Sequence, residues 1–205
     1  MINEIIQAIV QIVIFTLIPF LVYLIRNKSM KGFLEYIGLK KSTSKANSLA
    51  LLSCFIFLAP MLILTFTSDS FREIMFDTNS ITGKLRAMEL GAFTIIILLT
   101  IAIFKTSFAE EIFFRGFIAK RLISKFGFQK GNIFQSLIFG ILHSVLFAAI
   151  TTNVLFLSLI FIFPTIAAYI FGYLNEKKAN GSIIPGWIGH ALANIITYFT
   201  IAFII

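Results

Sequence analysis

The residues able to do chemistry in this chain are few, and they sit in apolar surroundings. Its only two histidines, His143 and His190, fall in runs of aliphatic and aromatic residues, as do the acidic pair Glu110-Glu111 and the nearby Arg115. Burying an ionisable group in hydrocarbon is costly, so each such residue is a functional-site hypothesis by default. Their spacing adds to this. Glu111 and Arg115 are four apart, on one face of a helix, where an ion pair forms. Glu110 is about 100° round from Glu111 and faces another neighbour. His190 and Asn194 share a face one turn apart. Phe139 stands one turn before His143, and Gly140 beside it admits a close-packed helix.

A carboxylate, two imidazoles and an amide suit peptide hydrolysis. Glu110 would act as general base on a water, and a histidine or Asn194 would donate to the developing oxyanion. The same residue types also allow Glu110, His143 and His190 to hold a Zn²⁺ ion with an open position for water. Sequence does not separate the two. Plainer roles exist for each group. Glu111–Arg115 can be a structural pair, a single histidine can be an interhelical hydrogen-bond partner, and Gln7 and Gln11 can be interhelical contacts or cavity lining. The 25 phenylalanines suit lipid-facing and packing positions. The chain has no H-E-x-x-H, no G-x-S-x-G and no phosphate-binding loop. Its two aspartates, Asp69 and Asp77, lie outside the apolar runs.

These residues must be carried by membrane-spanning helices. Of 205 residues, 59% are hydrophobic and 13% charged, with mean hydropathy +0.97. That is too little charge to cover a soluble fold. The expected fold class is all-α, a polytopic transmembrane helical bundle forming one integral membrane domain over residues 1–205. A span needs roughly 20 apolar residues, and the candidates are about 5–25, 48–67, 89–108, 132–150, 153–174 and 185–204. The stretch 89–126 is too long for one perpendicular span, so it is expected to be either a tilted helix with a cytosolic tail or two pieces broken near 105–107. A short interfacial helix is expected over 30–37. Cys54, the single cysteine, excludes a disulfide framework.

The net charge of +8 reads as loop charge setting orientation, not as a nucleic-acid surface. Segments 26–47, 105–131 and 175–184 carry 14 of the 17 basic residues. Six spans would put all three on one side, the cytoplasm, with both termini outside. The Glu pair would then lie near the cytosolic boundary, in a pocket open to that side.

At these positions the chain resembles the CPBP family, which comprises type-two CAAX prenyl endopeptidases and bacterial bacteriocin-processing or Abi membrane proteins. Glu110-Glu111-x-x-x-Arg115, Phe139-x-x-x-His143 and His190-x-x-x-Asn194 are similar to its three ordered motifs, and Gly181-Ser182-Ile183-Ile184-Pro185-Gly186 to the approach to the third. The resemblance covers residues 90–205, the expected catalytic core. It implies an intramembrane endopeptidase in which Glu110 activates water, Glu111 and Arg115 support it, His143 and His190 are essential, and Asn194 helps stabilise the oxyanion. The family is described both as metal-dependent and as glutamate-dependent. Composition points to a bacterial plasma membrane and to a peptide precursor as substrate, reached from the cytosol or the bilayer. The family also implies a second reading, a non-catalytic immunity or regulatory adaptor protein. Oligomeric state is left open.

Overall fold

The computed structural model describes residues 2–205; Met1, the first residue of the expected domain, lies outside them. Nine helices follow in order, and the described residues contain no strand. They are α1 (Ile2–Asn27), α2 (Phe33–Tyr36), α3 (Ser44–Thr67), α4 (Asp69–Phe76), α5 (Ile81–Arg86), α6 (Ala92–Phe126), α7 (Phe128–Phe147), α8 (Val154–Lys178) and α9 (Ile184–Phe203). The all-α bundle is therefore as expected. Side-chain caps start several helices: Thr43 accepts from Ala46 N, Ser80 from Gly83 N and Asn153 from Phe156 N. Pro185 occupies the first turn of α9, where its missing N–H costs nothing.

Five helices, α1, α3, α6, α8 and α9, are long and apolar enough to cross a membrane. This is one fewer than the six expected spans. The difference is α7. Its 20 residues would reach about 30 Å, but its first half carries Gln129, Lys130, Asn132, Gln135 and Ser136. Asn132, Gln135 and Ser136 are buried rather than displayed. Asn132 donates to Tyr169 O (2.9 Å) and Gln135 to Ala168 O (2.9 Å), both on α8. Gly140 sits against Phe161 O and Thr165 of α8, where a Cβ would collide, so the close approach expected of it is present.

α6 decides between the two readings of 89–126 in favour of one long helix. No break occurs at 105–107; the helix runs unbroken for 35 residues. Two stretches, Thr100–Phe108 and Glu111–Ala119, are wound more widely, in π-helical form. Side chains support the widening. Ser107 Oγ donates to Ala102 O (2.6 Å) and Thr106 Oγ1 to Ile101 O (3.0 Å), each five residues back. π-type turns within α-helices often mark functional sites. The expected interfacial helix is the four-residue α2.

The segment between α3 and α6 is folded onto the bundle instead of being a loose loop. Phe71, Ile74 and Met75 pack with Phe156, Ile160 and Ile201, and Leu85 with Ile97, Leu98 and Ala202. At the other end the basic segments are tied together. Lys120 Nζ donates to Glu176 Oε1 (2.6 Å) and Gly181 O (2.7 Å), Ile183 N to Gly38 O (2.9 Å), and Thr43 Oγ1 to Lys178 O (2.9 Å). Segments 26–47 and 175–184 and the Lys120 end of segment 105–131 thus share one end, whereas Lys105, at the start of that segment, pairs with Glu4 and Gln7 in the first turns of α1. Large apolar side chains lie exposed along α1 and α3, among them Ile9, Val13, Leu52 and Phe55, as a lipid-facing surface requires.

Candidate active site

α6, α7 and α9 bring five of the predicted site residues to one place, and a sixth anchors the arrangement. Glu111 is its hub. Its carboxylate is fully buried, with Oε1 3.3 Å from Arg115 Nε and 3.4 Å from His190 Nδ1. Asn175 Nδ2 donates to its Oε2 at 3.4 Å, and Asn175 Oδ1 accepts from Gly186 N at 2.9 Å. Gly186 leaves the room this needs, since a Cβ there would run into Glu111 Oε2. Arg115 lies flat over Phe139, 4.1 Å from the ring centroid, a cation–π contact strengthened by the dry surroundings. Nε and Nη1 of Arg115, Oε1 of Glu111 and Nδ1 of His190 are close but not aligned as hydrogen bonds. The cluster is therefore held chiefly by charge attraction and packing.

Glu110 differs from its neighbour. About 100° round α6 from Glu111, it faces a cavity of about 480 Å³ that His143, His190, Asn194 and Tyr198 also line. Its Oε2 is buried with no hydrogen-bond partner, 4.0 Å from His190 Nε2. His143 Nδ1 is 2.9 Å from Phe139 O. A carbonyl only accepts, so Nδ1 carries the hydrogen and Nε2 is left as an acceptor. Asn194 Nδ2 donates to Thr106 Oγ1 (2.9 Å) and Ser107 Oγ (3.2 Å). Both its N–H bonds are thereby engaged, and it fastens α9 to the widened stretch of α6.

A second cavity, about 590 Å³, lies between α1 and α7. Glu110, His143, Gln11 and Lys105 border both cavities. Lys105 Nζ meets Glu4 Oε2 (3.0 Å) and Gln7 Oε1 (2.8 Å), and Gln11 Nε2 donates to Lys105 O (3.0 Å). The two glutamines are thus interhelical contacts, and both also line the second cavity.

The donor set expected for a metal does not assemble. Among the described residues no three His, Cys, Asp or Glu side chains are placed to hold an ion together, although Glu110, His143 and His190 line one cavity. The cavity's direction also differs from expectation. It reaches Asn79, Ile81 and Thr82 near α5, and no residue of segments 26–47 or 175–184 lines it. The reason is depth: Glu110 stands midway along α6, not at its basic end. Sequence reasoning missed Asn175, Thr106 and Ser107. The only signal was polarity, an amide beside Glu176 and two hydroxyls that also fit a helix break.

Residues 92–196, about half of the chain and containing all six candidate residues, match a protein-family model described as Type II CAAX prenyl endopeptidase Rce1-like. No curated protein and no solved structure matches the chain.

Proposed function

The chain belongs to the Rce1-like family of type II CAAX prenyl endopeptidases, and from that membership we propose that it is an intramembrane endopeptidase in which Glu110 activates the attacking water. The observation that carries the reading is the partnerless Glu110 Oε2 facing a cavity it shares with both histidines. A buried carboxylate oxygen without a partner is costly unless something the cavity admits completes it.

The chemistry follows from the protonation each geometry allows. Glu110 takes a proton from water as the water oxygen bonds to the peptide carbonyl carbon. The carbonyl electron pair moves onto its oxygen. His190 turns Nε2 toward Glu110 and the cavity, and with its hydrogen on Nε2 it donates to that oxyanion. His143, with Nε2 free as an acceptor, holds the water. Collapse breaks the C–N bond, and the proton on Glu110 passes to the leaving amine. Glu111, Arg115 and Asn175 orient His190, and Asn194 positions α9.

The apolar walls, with Phe57, Leu58, Met61 and Phe163 among them, favour an extended apolar peptide segment reached through the bilayer-embedded part of the bundle. The charge pattern favours a plasma membrane with the basic end in the cytoplasm and both termini opposite. The test is cleavage of a quenched fluorescent peptide panel, with and without a prenyl group, by purified protein in nanodiscs. Glu110→Gln should lower the rate by roughly 10²-fold or more while the protein still accumulates in membranes. Full activity in that variant removes the proposed base.

A further inference from the structure

At the basic end, the last turns of α1 and α6 and the residue Tyr36 enclose a cavity of about 520 Å³ lined by Arg26, Asn27, Tyr36, Lys120, Arg121, Ser124 and Lys125. Four of these seven side chains are cationic and none is acidic. Two of the four are already fixed. Lys120 is paired with Glu176 at 2.6 Å. Arg121 lies over the Tyr36 ring, 3.4 Å from its centroid, and donates through Nε to Tyr36 Oη (3.1 Å) and through Nη1 to Gly116 O (2.9 Å). Its guanidinium is thus held in place before any ligand arrives, which reduces the ordering cost of binding. Arg26 and Lys125 make no ion pair among the described residues.

Complementing the helix dipole accounts for one basic side chain at each helix end. It does not account for four converging on one concave, polar wall. The location limits what can bind. The pocket opens where two membrane-crossing helices end, and Ile25 and Phe126 beside it are exposed. A ligand with an anionic head and apolar tails meets both surfaces at once.

We propose that this pocket is a phosphate-binding site occupied by the headgroup of an anionic phospholipid, with Arg26 and Lys125 closing on the phosphate beside the fixed Arg121, whose Nη2 has no hydrogen-bond partner among the described residues. Arginine suits this role because its planar donors match phosphate oxygens. The site is remote from the Glu110 cluster and shares no residue with it, so it stands or falls independently of the protease reading.

The test is native mass spectrometry of the detergent-solubilised protein titrated with phosphatidylglycerol or phosphatidylcholine. Retention of phosphatidylglycerol over phosphatidylcholine is expected. The Arg26→Gln/Lys125→Gln double variant should weaken it about tenfold or more, given the attraction each basic residue near a surface provides. Lys41→Gln/Lys45→Gln, which removes the same charge from exposed positions at the same end, should leave it unchanged. Millimolar inorganic phosphate separates the sources: displacement shows that the phosphate group alone fills the site, and resistance shows that the tails contribute. Equal retention of the two lipids overturns the proposal, and so does equal loss in the two double variants.

Discussion

Glu110 and Glu111 are adjacent in sequence and opposite in circumstance. Glu111 is enclosed by Arg115, His190 and Asn175, whereas Glu110 has a buried oxygen with no partner. Their amide variants should therefore separate stability from activity. Glu111→Gln leaves Arg115 buried and unpaired and should destabilise the bundle by about 3–5 kcal/mol, seen as early thermal unfolding in detergent. Glu110→Gln should unfold within about 1 kcal/mol of the parent while losing cleavage. A melting curve for Glu111→Gln that overlays the parent's would contradict the hub role. Gly186→Ala should act through Glu111, because the new methyl group would occupy the space of its carboxylate. Peptide cleavage should fall with little change in membrane accumulation. The pairing of Glu111 with Arg115 was legible from their four-residue separation. Asn175 was not, because a lone amide gives no period to read and its role appears only when α8 meets α9.

Among the helices, α6 shows where pattern reading loses its hold. A hydroxyl pair beside a lysine looks like an interruption in an apolar run, and by pattern alone 105–107 fits a break as well as it fits a continuous helix. In three dimensions Thr106 and Ser107 return their hydroxyls to carbonyls of their own helix and also accept from Asn194. The polarity is thus consumed internally, and the helix widens instead of stopping. Ser107→Ala should cost about 1–3 kcal/mol in thermal unfolding, since it leaves a donor of Asn194 short of an acceptor. Thr67→Val removes a similar hydroxyl-to-carbonyl bond at an exposed position and should stay within about 0.5 kcal/mol. Equal costs for the two would mean that Ser107 does no more than an ordinary helix serine. α7 gives the converse lesson. Its existence and length were legible from its apolar run, but the buried amides Asn132 and Gln135 in its polar half reach α8 carbonyls that sequence does not display.

For the molecule taken together, the gathering of most of the basic loop charge at one end was the most legible property, because charge placement in loops needs no tertiary detail. It also gives a direct check on orientation. Cys54 is buried, so cysteines introduced elsewhere report alone. In intact cells, Lys41→Cys should be shielded from an impermeant thiol reagent and Glu73→Cys, on exposed α4, should react. The reverse pattern would invert the orientation and place the basic end outside. The path to the site was not legible, since the hollow spaces of a bundle arise from packing and leave no trace in a hydropathy profile. Glu110 and His143 stand where the hollow behind α1 adjoins the one that reaches toward α5. A polypeptide threaded through that junction has a tail on either side of the bond being cut. If the proposed cleavage takes place there, the halves would retreat in different directions, and neither would have to back out past the other before the next strand is seated.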